Sequence, residues 1–369
     1  MKVLFWLCAI VVAYAYFGYA ICLWLRVRLS TLPVLRGSIT PPVSVVIAAR
    51  NEEANLPAKL RNLREIDYPA EQMQVVIASD GSTDRTAEIL EENAPFVHPV
   101  ILEKNGGKAA ALNAVVQHAT GEILIFLDAR QVVEPNAVRE LVSAFADPQI
   151  GAVSGELLLG DGDGDTGSEG LGIYWKIEKM VRKLESASGS VVGVTGAIYA
   201  IRRECFTEIP SGAILDDVFI PMQVARMGKR VIFEPRARAH DRIFRDPGKE
   251  FSRKVRTLTG NYQLIQMSPW LLTPANPLFL RFISHKLLRL VVPFLLLATL
   301  ILSALVPGRL YRGLFWAQVI FYGLALLGMS APAIRTFRPV AIAKTFVMLN
   351  WAAVLAFYNF VVGNTEVWN

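Results

Sequence analysis

Gly121-Glu122-Ile123-Leu124-Ile125-Phe126-Leu127-Asp128-Ala129-Arg130 is the stretch that decides how this chain folds. Residues 123 to 127 are an unbroken apolar run, bounded by a glycine before and polar residues after, which reads as a strand buried on both faces. Such strands belong to parallel sheets covered by helices, and an acid at the carboxyl end stands where open α/β sheets bind ligands. Upstream, Val75-Val76-Ile77-Ala78-Ser79 runs in the same way into Asp80, followed by Gly81, Ser82, Thr83 and Asp84. Two acids brought by two strands to one edge form a place for a metal ion and a phosphate-bearing ligand.

Working outward, helical and strand patterns alternate. Val43–Arg50 reads as a strand and residues 52 to 65 as the helix behind it. Met73–Ser79 is the next strand, with a helix from Asp84 to about Glu92, and a short strand is expected over His98–Leu102. Alanine-rich Lys108–Ala119 has helical spacing, and Pro135 opens a further helix. Residues 151–159, 194–204 and 230–235 are expected strands, whereas Tyr174–Ser188 and residues 215–228 are expected helices, the latter closed by Gly228. The β-α-β-α order predicts a doubly wound, mostly parallel sheet of Rossmann type. Residues 161–170, Asp-Gly-Asp-Gly-Asp-Thr-Gly-Ser-Glu-Gly, look at first like a calcium loop. Thr166 stands where glycine is needed and Gly172 where the bidentate acid belongs, so a solvated loop is expected.

The ends have a different composition. The 369 residues are 53% hydrophobic with mean hydropathy +0.37, and the apolar excess sits in four runs. Val3 to Leu25 carries no charge and exceeds the roughly 20 residues needed to cross a bilayer. Arg26, Arg28 and Arg36 follow at once, which favours a retained anchor over a cleaved signal. Three more spans are expected near 287–305, 314–334 and 340–362. Arg335, Arg338 and Lys344 put the last loop on the cytoplasmic side, so residues 26–286 are expected in the cytoplasm and both termini outside. Arg309 and Arg312 then fall in an external loop, a mild misfit. Expected domains are residues 1–30, a membrane helix; 41–245, a catalytic domain; 246–286, an interfacial segment; and 287–369, three membrane helices. The net charge of +6 is explained by basic residues flanking these spans, and no nucleic-acid-binding motif is present. Three cysteines and four scattered histidines give neither a disulfide framework nor zinc spacing.

Taken in order, residues 43–53, 79–84, 105–113, 126–130, 194–204, 215–217 with the helix ending at 227–230, and 253–257 resemble the membrane-embedded family 2 glycosyltransferases. The resemblance covers residues 43 to 257. It implies an inverting enzyme of the GT-A fold that moves a sugar from a nucleotide-sugar donor, usually a UDP-sugar, to a growing polysaccharide or a lipid acceptor at the cytoplasmic face of the cell membrane. Carbohydrate or lipid acceptors, membrane lipids, and partner subunits or further copies of the chain are the implied partners. A catalytically inactive homologue serving as membrane scaffold or nucleotide-binding subunit is the alternative.

The resemblance also assigns residues. Glu52 and Asp80 match positions that bind base and ribose, although Glu52 equally suits the first turn of a helix. Lys108 matches a basic residue near the diphosphate. Asp128 matches the first acid of the DxD motif, which holds Mg²⁺ or Mn²⁺ against the diphosphate. Arg130 replaces the second acid, and two readings stay open: a cation held by one carboxylate with phosphate oxygens and waters, or Arg130 itself supplying charge to the diphosphate. Asp217 matches the general base, with Asp216 as capping or supporting neighbour. Arg253-Lys254-Val255-Arg256-Thr257 stands where processive synthases carry QxxRW. Arg256 matches the arginine that engages the diphosphate, Arg253 replaces glutamine, and Thr257 replaces the acceptor-stacking tryptophan, which speaks against processive synthesis.

Overall fold

The structure, a computed structural model, describes residues 1–160, 169–241, 247–331 and 337–363. Most of the acidic loop over 161–170 and the basic residue Arg335 therefore lie outside the described residues. The helices are α1 (Lys2–Leu29), α2 (Leu56–Arg64), α3 (Thr86–Glu92), α4 (Gly107–His118), α5 (Ala137–Ser143), α6 (Glu169–Ala187), α7 (Asp216–Arg226), α8 (Pro247–Met267), α9 (Phe279–Leu305), α10 (Arg309–Ser330) and α11 (Arg338–Val361). The strands are β1 (Val43–Ala49), β2 (Met73–Asp80), β3 (His98–Leu102), β4 (Ile123–Leu127), β5 (Val132–Val133), β6 (Ile150–Leu159), β7 (Ile198–Arg202) and β8 (Arg230–Asp241).

Among the described residues the strands form one sheet in the order β3-β2-β1-β4-β7-β6-β8-β5. β1 pairs in parallel with both β2 and β4, β2 with β3, and β6 with β8. β7 runs antiparallel to both β4 and β6, and β5 antiparallel to β8. The sheet is thus mixed, with six strands in one direction and two reversed. β1, β2 and β4 are almost wholly apolar because helices cover both faces. Val45, Ile47 and Ile125 pack on one side with Leu56, Leu60 and Leu63 of α2. Val46, Leu124 and Phe126 pack on the other with Leu112 and Val115 of α4 and with Val218 and Met222 of α7. That alternation follows the period of two along a strand.

Among the described residues α1, α9, α10 and α11 are long and apolar enough to cross a membrane. They join the sheet domain through side chains rather than through a linker alone. Tyr262 of α8 stacks on Phe360 of α11 at 5.3 Å, and Tyr19 of α1 donates its hydroxyl to the Glu185 carboxylate of α6.

Candidate active site

The carboxyl ends of β1, β2 and β4 converge on one edge, and loops tie them together. Asn51, after β1, has φ +52, a left-handed conformation that asparagine tolerates. Its Oδ1 accepts the Thr83 amide at 2.9 Å, and the Glu52 amide donates to Thr86 Oγ1 at 2.8 Å, locking the β1 loop to the β2 loop. The Glu52 carboxylate accepts a 2.6 Å hydrogen bond from Asn55, in the turn that leads into α2.

Asp80 ends β2 fully buried, with each carboxylate oxygen already engaged. Oδ1 accepts from the Gly106 amide at 2.8 Å and Oδ2 from the Gly107 amide at 2.9 Å. Gly81 has φ +56, and a Cβ there would come within 2.4 Å of the Asn105 nitrogen, so glycine permits this approach of the two loops. Asp80 thereby fixes the start of α4, and Lys108 follows in its first turn.

Lys108 is the hub. Its Nζ lies 3.1 Å from Asp128 Oδ1 and 3.5 Å from Asp216 Oδ2. Burial would lower this ammonium's pKa, but Asp128, Asp216 and Asp217 outweigh burial and hold it above the ordinary lysine range. Asp128 sits one residue beyond β4, in a loop anchored from below by α2. The buried Lys59 donates to the Gln131 carbonyl at 2.8 Å, and Asn62 pairs with both backbone groups of Val133.

Asp216 and Asp217 open α7, where negative charge suits the helix dipole. Asp216 is buried beside Lys108, whereas Asp217 is half-buried and borders the Gly193–Gly196 turn. The Asp217 carboxyl is pushed up to about 6, first by burial and then by Asp216, against the opposing pull of Lys286, Lys108 and Arg182. A carboxylate in that range is ionised at neutral pH yet basic enough to take a proton. Helix α8 braces the approach to α7: Gln263 bonds the Ile214 amide and the Gly212 carbonyl, both at 2.9 Å. Gly260 permits the contact, since a Cβ there would meet Leu215 at 2.7 Å.

The other expected site residues stand on the loop after β4 and on α8. The Arg130 guanidinium forks onto Asp241, with Nε–Oδ1 at 3.1 Å and Nη2–Oδ2 at 2.6 Å. Arg253 lies 3.7 Å from Glu250 on its own helix, and Arg256 is exposed on α8. The Thr257 hydroxyl is spent on the Arg253 carbonyl.

Three features escaped the sequence reading. Tyr199 of β7 is fully buried and stacked on Phe126 at 4.5 Å, and its hydroxyl has no hydrogen-bond partner among the described residues. Burial, then Asp216, Asp217 and Asp128, push its pKa well above the usual range. The position of Tyr199 inside residues 194–204 was its only signal. Glu178, Glu185 and His285 form a buried polar cluster between α6 and α9. Lys286 and Arg182 act on the Asp217 carboxyl together with Lys108, and both border the turn over residues 193–196.

Among the described residues no three His, Cys, Asp or Glu side chains gather to hold a metal ion. Asp128 has a side chain about one-third exposed and Oδ2 free of the Lys108 contact, so it fits a divalent cation shared with phosphate oxygens, not one held by protein alone.

Residues 44–209 match the family model described as Glycosyl transferase family 2. Poly-beta-1,6-N-acetyl-D-glucosamine synthase of Staphylococcus aureus (strain COL) is 24% identical over 248 residues, covering 65% of this chain and 60% of that protein. The synthase of the same name from Staphylococcus epidermidis is 25% identical over 235 residues, covering 62% and 56%. The chain thus spans about 60% or less of the length of these relatives. A mannosyltransferase from Pyrobaculum calidifontis, solved in complex with GDP-Man and Mn2+, superposes with a TM-score of 0.74 at 22% identity, over 97% of this chain and 99% of that one. At that identity the likeness is one of fold.

Proposed function

Residues 44–209 are a glycosyl transferase family 2 domain in a GT-A fold, and from that premise we propose that the chain is a membrane-bound inverting glycosyltransferase. It takes a nucleotide-sugar donor and passes the sugar to a polysaccharide or lipid acceptor at the cytoplasmic face of the membrane. One observation carries this reading: Lys108 draws Asp128 and Asp216 together from β4 and α7, beside an Asp217 whose carboxyl is tuned for base chemistry.

In this mechanism Asp217 accepts the proton of the acceptor hydroxyl as its oxygen attacks the anomeric carbon. The bond from that carbon to the diphosphate breaks, its electron pair leaves with the nucleoside diphosphate, and the anomeric configuration inverts. Lys108 lies where it would face charge gathering on the departing diphosphate. Asp128 would hold Mg²⁺ or Mn²⁺ together with diphosphate oxygens, and when bound the cation supplies Lewis-acid stabilisation of the leaving group. Glu52 and Asp80 shape the nucleoside end, Asp80 by holding the Gly106–Gly107 amides. Arg256 and Arg253 approach the diphosphate from α8. The relative that makes poly-beta-1,6-N-acetyl-D-glucosamine supports a polysaccharide product, and Thr257 supports a single transfer instead.

The test is nucleoside-diphosphate release by protein in lipid nanodiscs with a panel of UDP- and GDP-sugars. Mg²⁺, Mn²⁺ and EDTA are compared, with Asp217→Asn as control. Release with one donor, lost in EDTA and in the variant, is expected. Full release by Asp217→Asn would remove Asp217 as the base.

A further inference from the structure

β7 runs antiparallel to β4, so its first residues stand at the edge where β4 ends. Leu127 faces Ile198 across the pair, and Phe126 faces Tyr199. Asp128, two residues beyond Phe126, faces the same side of the sheet, where Lys108 of α4 meets it. Phe126 and Tyr199 belong to the same buried cluster as Leu112 of α4 and Val218 and Met222 of α7. The two rings lie 4° from parallel with centroids 4.5 Å apart. Stacking accounts for the ring of Tyr199 but not for its hydroxyl.

That hydroxyl is shut from solvent and has no hydrogen-bond partner among the described residues, and the same holds for Asp216 Oδ2. Asp216 is the first of the acids whose charge bears on the phenol, ahead of Asp217 and Asp128. Together with burial they keep its proton in place across the neutral range. The hydroxyl is therefore a standing donor, and the acid that bears on it most has an oxygen to spare. Asp216 has Lys108 as counter-charge at 3.5 Å, but that ammonium lies closer to Asp128, at 3.1 Å. A buried donor and a buried acceptor left unpaired each cost stability, and phenylalanine would fill the same space without its share of that cost.

A nucleoside diphosphate changes this balance. Its oxygens would draw Lys108 towards themselves, leaving Asp216 a buried carboxylate whose counter-charge is shared three ways. Unrelieved, such a carboxylate takes up a proton or swings away from its place next to the candidate base.

We propose that Tyr199 is a positioning residue for the transfer: once a diphosphate engages Lys108, the Tyr199 hydroxyl donates to Asp216 Oδ2 and holds that carboxylate ionised beside Asp217. This rests on the glycosyltransferase reading and deepens it, by naming the group that balances the acids while Lys108 serves the donor. The phenol itself touches neither sugar nor nucleotide. Its hydrogen bond forms only in the loaded enzyme, so what the unpaired hydroxyl costs the empty enzyme reappears as affinity for the diphosphate.

The test uses the full chain in lipid nanodiscs with UDP or GDP and Mg²⁺, read by calorimetry, thermal melting and fluorine NMR of protein labelled with meta-fluorotyrosine. Tyr199→Phe keeps the stacked ring and assigns the Tyr199 resonance by its loss. Without nucleotide this variant should melt no lower than wild type. It should bind the nucleoside diphosphate about tenfold more weakly, as loss of one charge-assisted hydrogen bond gives. In an Asp216→Ala background the same change should weaken binding by less than about twofold. The Tyr199 resonance should shift on nucleotide binding in wild type and stay still in Asp216→Ala. Equal affinity of Tyr199→Phe and wild type, or an equal loss with and without Asp216, overturns the proposal. So does a Tyr199 resonance that ignores bound nucleotide. Failure of wild type to bind either nucleotide would instead overturn the transferase reading, and this proposal with it.

Discussion

Replacing Asp217 by asparagine should strengthen the fold while abolishing transfer. The Asp217 carboxyl rises from 3.8 to about 6 on folding, chiefly through burial and then through Asp216. The native state therefore holds this proton more tightly than the unfolded chain, so ionising the group costs stability. The sign is fixed by that direction: the penalty is absent below about pH 4, grows through pH 6 and is constant above. Its upper bound is roughly 3 kcal/mol at pH 7 and roughly 1.5 kcal/mol at pH 5. Asp217→Asn removes the charge and, among the described residues, breaks no side-chain hydrogen bond of this carboxylate. The variant should melt higher than wild type at pH 7, and its advantage should shrink by about 3–6 °C at pH 5. Intrinsic tryptophan fluorescence in nanodiscs reads both. Transfer should fall by about 10²–10⁴-fold, the usual worth of a general base. A variant less stable than wild type at pH 7, or equally advantaged at both pH values, would refute the reasoning.

Asp216→Asn removes the like charge beside Asp217, so the acid limb of kcat/KM should move from near pH 6 to about one pH unit lower, read from a pH–rate profile. Lys108→Met leaves Asp128 and Asp216 facing each other without their shared cation. A stability loss of about 2 kcal/mol, discounted for the partly exposed Asp128, and weaker donor binding are expected by melting and calorimetry. Arg130→Ala strips the fork from Asp241, whose side chain is 1% exposed, and should cost about 2–4 kcal/mol of stability. Donor affinity of the same variant should fall less than about threefold, and a larger fall would return Arg130 to the diphosphate.

Apolar runs made β1, β2 and β4 legible because a strand covered on both faces needs little else. The acids closing β2 and β4 follow at once from that geometry. The reversal of β7 was not legible, since strand direction depends on which neighbours it pairs with, and β5 is too short at two residues to leave a pattern. Arg130 shows the limit at the site. Its place in the motif left a role toward the diphosphate open, whereas its fork onto Asp241 joins residues 111 apart, and no spacing announces that. Lys108 likewise needed coordinates, because the two acids it joins come from β4 and α7.

The His285 bridge has a consequence for how the chain is made. Glu178 and Glu185 on α6 are buried, and burial alone would raise both carboxyls; Arg289 and the His285 ring for Glu178, and the His285 ring for Glu185, hold them below the usual range instead. Those partners are synthesised about a hundred residues later, at the head of α9. While the ribosome is still extending the chain, Glu178 has only Arg182 of its own helix and Glu185 only Tyr19 of α1, so α6 is without its main counter-charges until the second membrane helix is made. Seating of that helix and final docking of α6 are therefore coupled, and damage to either should be felt in the other.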